Sequence, residues 1–122
     1  MKWFVATVGA CALVLGGAAC SSVSFVDGVT IVNDTEYSAN IDVTGKAGGG
    51  WLLVTSVEPQ STTVVEEVID QGEKWIFRFD YVGKYDQEVE ISRRELEQNG
   101  WTIEVPQSFE QRLRELNVSP PP

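Results

Sequence analysis

The acidic side chains are the first candidates for chemistry, because this chain of 122 residues contains no histidine. Without imidazole there can be no Ser-His or Cys-His nucleophile pair and no His-ligated metal. Both cysteines lie in the N-terminal segment, outside the predicted domain, so catalysis or metal binding by that domain would depend mainly on the 18 Asp and Glu residues. Their positions along the predicted strands decide which chemistry they can support.

Three acids, Asp86, Glu88 and Glu90, occupy alternate positions of one predicted strand and so share a face. Carboxylates in a cluster are ligands for Ca²⁺, which takes about six to eight oxygens. No Gly-punctuated, Asx-rich loop converges on these acids, so the sequence favours a solvated edge on which Glu90 pairs with Arg78. We therefore predict no metal, no cofactor and no catalytic residue.

The glutamates Glu66 and Glu67 are the other acidic pair. Adjacent residues of a strand point to opposite faces, so these two carboxylates cannot act as an acid/base dyad on one substrate atom.

Aromatic residues near predicted loops are the remaining candidates for binding. Trp51 directly follows the glycine loop that contains Lys46, and Tyr85 lies in a predicted turn. Loops carry binding residues more often than the strands they connect. We predict that Trp51 and Tyr85 are exposed and that Lys46, Trp51 and Tyr85 form contacts with a partner, whereas Trp75 belongs to the core.

The charge balance limits the classes of partner. The chain carries 18 acidic and 9 basic residues, a formal net charge of −9. A nucleic-acid partner would require a basic face, so we expect none. An acidic domain instead favours a partner with a basic surface.

Short segments with an alternating hydrophobic pattern predict the elements that must position these residues. The spacing of the segments predicts a mainly β fold: an antiparallel β-sandwich of about seven strands, immunoglobulin-like or a small barrel. The predicted strands are 28–32, 37–44, 51–57, 62–69, 73–82, 87–91 and 101–105.

The hairpin formed by strands 73–82 and 87–91 has a testable register. A three-residue loop, 83–85, would place Phe79 opposite Val89 and Arg78 opposite Glu90. A two-residue loop would instead place the acids beside the aromatic residues, which buries charge. The sequence therefore favours the longer loop.

Two short helices are predicted from capping boxes, in which a Ser side chain and an acid or amide three residues later satisfy each other's backbone donors. Ser92 with Glu95 begins a helix before the last strand, and Ser108 with Gln111 begins a C-terminal amphipathic helix. The second helix presents an apolar stripe of Phe109, Leu113 and Leu116. We expect the β domain to span 28–118 and a disordered proline tail to occupy 119–122.

The N-terminus has the pattern of an export signal. Lys2 precedes an uncharged run, 3–19, that ends in small residues before Cys20. This pattern predicts a signal peptide at 1–19, a lipidated Cys20 and a tether at 20–27. Three alternatives remain open: release after ordinary signal cleavage, an uncleaved membrane anchor, and lipidation at Cys11 after a shorter apolar region.

The small residues before Cys20 resemble the lipobox of bacterial lipoproteins, and the chain is similar to small actinobacterial-type lipoproteins of unassigned role. This resemblance implies a lipid-anchored protein on the extracytoplasmic side of the cell membrane. Two functions follow as hypotheses. The first is a non-catalytic module that binds an envelope protein or glycan, or serves as a structural component. The alternative is a hydrolase or carbohydrate-active enzyme that uses carboxylates alone.

Overall fold

The computed structural model describes residues 23–121, so the predicted signal peptide and Cys20 lie outside the described residues. The described chain is mainly β, as predicted, and contains two helices. The strands are β1 (Phe25–Val26), β2 (Val29–Asn33), β3 (Ala39–Thr44), β4 (Leu52–Val57), β5 (Ser61–Val65), β6 (Val68–Ile69), β7 (Lys74–Tyr81), β8 (Lys84–Ser92) and β9 (Thr102–Glu104). The helices are α1 (Arg93–Gln98) and α2 (Gln107–Glu115).

The strands form three sheets, with orders β1-β6, β5-β2-β9 and β4-β3-β7-β8. The described residues thus form nine strands, whereas the sequence predicts about seven. The prediction of antiparallel pairing throughout is also wrong, because β9 runs parallel to β2. Period-two patterning is the same for both directions of pairing, so it cannot distinguish a parallel neighbour from an antiparallel one.

The predicted strand 62–69 is in fact two strands in different sheets. The extended strand is interrupted between β5 and β6, where Glu67 adopts a φ of 60°. That left-handed conformation turns the backbone away from the extended path, and residues 66 and 67 belong to neither strand. Glu66 and Glu67 consequently lie exposed in the connection between the strands rather than on opposite strand faces.

The other new strand, β1, lies inside the predicted tether. Phe25 pairs with Ile69 and Val26 with Val68, so these two residues of 20–27 belong to a two-stranded ribbon. The part of the chain that precedes the first strand is correspondingly shorter than predicted.

A single hydrophobic cluster contains buried residues from all three sheets and both helices. Alternation predicts an inward apolar face for each main strand, and the structure buries all but one of these side chains. The buried residues are Val29, Ile31, Tyr37, Ala39, Ile41, Val43, Trp75, Phe77 and Phe79. Tyr81, which alternation places on the same face as Trp75, is only half-buried.

The hairpin of β7 and β8 keeps the predicted separation of apolar and acidic faces but has a different register. Phe77 lies opposite Val89, and Arg78 lies opposite Glu88. The predicted partners, Phe79 with Val89 and Arg78 with Glu90, are wrong by two residues. A shift of two preserves the face on which each side chain lies, which explains why the polarity argument did not detect the difference.

A β-bulge, rather than the predicted three-residue loop, produces the odd offset between the two strands. Tyr81 pairs with Lys84 across a two-residue turn, and the register shifts by one residue between Phe79 and Tyr81. Both turn residues, Val82 and Gly83, have positive φ angles of 48° and 77°, as a type I′ turn requires. The extra residue on β8 realigns the acids with the solvent-facing side of the sheet.

The capping box of α1 is confirmed: the Ser92 hydroxyl accepts a hydrogen bond from the Glu95 amide at 3.1 Å. The second predicted capping box is wrong, because α2 starts after Pro106 and Ser108 lies inside the helix. Phe109 and Leu113 are buried as predicted, whereas Leu116 caps the helix and is 49% exposed. Within residues 23–121, neither helix has the length and apolar character that a membrane crossing requires.

Candidate binding surface

The register of the four-stranded sheet aligns one residue from each strand on the face that points away from the core. Asp42 of β3 lies between Leu53 of β4 and Arg78 of β7. Glu88 of β8 lies opposite Arg78 on the other side. An apolar residue, two acids and an arginine thus form a row across this outer face.

Arg78 is held within this row by Asp42. Its Nε and Nη2 atoms donate to the same carboxylate oxygen, Oδ2, at 3.2 and 2.8 Å. The hydrogen bond to Asp42 raises the pKa of Arg78 further above physiological pH, where a guanidinium is charged in any case. The predicted ion pair of Arg78 with Glu90 is wrong, because the register places Ile76 opposite Glu90.

Trp51 lies over the guanidinium of Arg78. The central carbon of that group is 4.2 Å from the centroid of the Trp51 ring, a distance at which the cation attracts the electron-rich face of the indole. Trp51 is therefore half-buried rather than exposed as predicted. The stacking fixes the orientation of the ring in the absence of any partner.

The glycine loop before Trp51 is more constrained than the flexible connector its sequence indicates. The Gly49 amide donates to the carbonyl oxygen of Lys46 at 3.0 Å, which closes a turn with Lys46 exposed. A Cβ atom on Gly45 would lie 2.7 Å from the carbonyl oxygen of Gln71, so only glycine allows the loop to approach the β6–β7 connection this closely. These contacts constrain the backbone of the loop, and the Lys46 side chain is exposed.

Tyr85 does not belong to this surface. The Lys46 loop leaves β3 at Thr44, which pairs with Ile76, whereas Tyr85 is near the other end of β7, beside Asp80. Four residues of strand separate those two ends by about 14 Å. Tyr85 is also half-buried against the core rather than exposed as predicted, so it lies apart from the loop that carries Lys46 and leads into Trp51.

We refer to Lys46, Trp51, Leu53, Asp42 and Arg78 as the Trp51 surface. The sequence analysis did not identify Leu53, Asp42 or Arg78 as parts of it. Alternation alone places Asp42 and Arg78 on outward faces, but their contact depends on the pairing of β3 with β7. Leu53 is 72% exposed, a large value for a leucine within a strand.

The predicted acidic ladder lies on β8, at the edge of its sheet. Asp86, Glu88 and Glu90 are all exposed, and among the described residues no group of three potential ligands is arranged to hold a metal ion. The ladder faces solvent and gives this edge a negative charge, which opposes the pairing of another strand with β8.

The Trp51 surface combines a stacked indole ring, an exposed leucine and charged side chains. Comparison of the chain with protein-family models, with curated proteins and with solved structures finds no match in any of the three.

Proposed function

We propose that this protein is a lipid-anchored, extracytoplasmic lipoprotein whose β domain is a non-catalytic binding module of the cell envelope. The support for the anchor is the sequence itself: Lys2, the uncharged run 3–19 and the small residues that precede Cys20. Its partner would be an envelope protein or a glycan, both of which are recognised through exposed aromatic and charged side chains.

For the domain we propose the arrangement of a β-sandwich, in which the three-stranded and four-stranded sheets face each other. The support is the single hydrophobic cluster, which takes Val29 and Ile31 from one sheet and Val43 and Phe77 from the other. Two sheets that share one core typically stack face to face.

The Trp51 surface is the observation that carries the binding proposal. Trp51 is held on Arg78, and Leu53 exposes 72% of its surface on the same outer face. A ring that is already oriented loses little conformational freedom when a partner packs against it. Tryptophan and arginine are also the residue types enriched among the dominant contacts of protein interfaces.

The first test concerns the anchor. In cells supplied with a labelled fatty acid, we expect the wild-type chain to be labelled and the Cys20→Ala variant to lose both the label and its membrane fraction. Cys11→Ala serves as the matched control and should retain both. Acyl label that persists in Cys20→Ala and disappears in Cys11→Ala would assign lipidation to Cys11 and contradict the proposal for Cys20.

The second test concerns the binding surface. A partner is first captured from native envelopes with the full chain and identified, and its affinity is then measured for single variants. Trp51→Ala should weaken binding by about 2 kcal/mol or more, roughly thirtyfold. Leu53→Ala should also weaken it, whereas Leu116→Ala, another exposed leucine outside this surface, should not.

A net charge of −9 predicts that binding to a basic partner weakens as salt rises above about 0.1 M. Affinity that is unchanged by Trp51→Ala, by Leu53→Ala and by salt would show that the partner binds elsewhere on the domain.

A further inference from the structure

The two-stranded ribbon of β1 and β6 exposes apolar side chains on the face that does not pack on the core. Phe25 and Ile69 are cross-strand neighbours and are 50% and 38% exposed. Val23, 59% exposed, precedes Phe25 by two residues, an interval that returns a side chain to the same side of an extended chain. We call Val23, Phe25 and Ile69 the ribbon patch.

The ribbon patch is fixed to the domain rather than carried on a loose end. The residues that alternate with it, Val26 and Val68, are buried at 7% and 6% exposure and join the hydrophobic cluster. The Asp70 amide donates to the carbonyl oxygen of Ser24 at 2.9 Å, which extends the pairing beyond β1. The orientation of the patch is therefore set by the core.

The patch also begins three residues after Cys20. Three residues of extended chain reach at most about 11 Å. A lipid attached to Cys20 would therefore keep Val23 within about 11 Å of the lipidated residue, close enough for the ribbon to bring Phe25 to the membrane surface.

We propose that the ribbon patch is a membrane-contact site that seats the domain on the lipid bilayer. This inference rests on the proposed lipidation of Cys20. An acyl chain makes the encounter with the bilayer intramolecular, so even a small apolar patch can remain in contact. Aromatic and aliphatic side chains on one face of a rigid element suit the boundary between headgroups and acyl chains.

The charged residues next to the ribbon patch indicate whether neutral or anionic headgroups suit it better. Asp27, Glu66 and Glu67 are exposed and flank the ribbon in sequence. Acidic side chains are repelled by anionic headgroups, so the patch fits an electrically neutral bilayer surface better than an anionic one. Raising the salt concentration should relieve the repulsion from an anionic bilayer.

The proposal is tested by measuring how well the bilayer shields the patch. A cysteine is introduced by Phe25→Cys, or by Leu116→Cys as the matched control, since these side chains are 50% and 49% exposed. The full chain is purified from membranes, reconstituted into phosphatidylcholine vesicles and treated with a membrane-impermeant maleimide. Phe25→Cys should react about tenfold more slowly than Leu116→Cys, which corresponds to about 1.4 kcal/mol of contact free energy.

Four further measurements complete the test. In the Cys20→Ala background the two introduced cysteines should react at similar rates, and addition of phosphatidylglycerol should reduce the protection of Phe25→Cys. Ile69→Cys is a second probe of the patch, and melting midpoints identify any variant that does not fold.

Equal reaction rates in the acylated protein would overturn the membrane-contact site and leave the lipoprotein proposal intact. Absence of the acyl group on Cys20 would instead refute the lipoprotein proposal.

Protection that increases with the surface density of the protein would show that a second copy covers the patch. Protection that persists in the Cys20→Ala background would show that the chain itself covers it. Either result overturns the membrane contact.

Discussion

Trp75→Ala should lower the free energy of unfolding by about 3–5 kcal/mol, the usual cost of removing a large aromatic side chain from a core. Trp75 is fully buried, with Phe77 and Trp101 at ring-centroid distances of 6.0 and 5.3 Å. Its Nε1 atom donates to the carbonyl oxygen of Gly72 at 3.0 Å. Alanine would leave a cavity between two aromatic rings and remove the donor for this carbonyl.

Urea denaturation of wild type and variant measures this loss, and Trp51→Ala is the matched control. Trp51 is half-buried on the outer face, where its stacking on Arg78 contributes about 0.5–1 kcal/mol. A domain of this size has about 5–15 kcal/mol of stability in total, so the first variant should lose a large fraction of it. Equal losses for both tryptophans would contradict the assignment of Trp75 to the core and Trp51 to the surface.

Asn33→Asp should destabilise the fold by about 2–4 kcal/mol at neutral pH, because a buried group that loses its hydrogen-bond donors is costly. The Nδ2 atom of Asn33 donates to the carbonyl oxygens of Tyr37, Val57 and Glu58 at 2.8, 3.3 and 3.1 Å. Its Oδ1 atom accepts from the amide and hydroxyl of Thr35 at 3.0 and 2.7 Å. The substitution keeps the shape and the acceptor but places a carboxylate against three carbonyl oxygens.

The sign of the pH dependence makes this prediction specific. Burial and the carbonyl oxygens should raise the pKa of the introduced carboxyl above its unfolded value of about 3.9. The deficit relative to wild type should therefore be smallest below about pH 4, grow as the pH rises through the interval between the unfolded and folded pKa, and then level off. Chemical denaturation at several pH values measures this trend.

Asn117→Asp is the control for the same chemical change at an exposed position. Asn117 directly follows the C-cap of α2, where a negative charge is mildly unfavourable, so the variant should lose no more than about 1 kcal/mol. A deficit for Asn33→Asp that is the same at pH 4 and pH 7 would show that ionisation of the new carboxyl is not its cause.

The candidate surface could be predicted only in part, and its residues show why. Lys46 and Trp51 are close in sequence, so their placement on one loop follows from the chain itself. By sequence alone, Tyr85 is a candidate binding residue like Trp51. Strand pairing nevertheless places Tyr85 near the end of β7 that is away from the Lys46 loop. The hairpin pattern predicts Glu90 as the partner of Arg78, because it includes only the next strand along the chain. The observed partner, Asp42, is on the other neighbouring strand, β3.

The sequence by itself determined the mainly β class, the inward-facing residues of β2, β3 and β7, and the start of α1. Each depends on local chemistry: alternation along an extended chain, or one side chain that caps a turn three residues away. The tertiary structure decided the parallel pairing of β9 with β2, the division of 62–69 between two sheets, the stacking of Trp51 on Arg78 and the burial of Asn33. These features depend on contacts between segments that are far apart in the chain. The energies of such contacts depend on which strands become neighbours, and a local sequence pattern does not determine that choice.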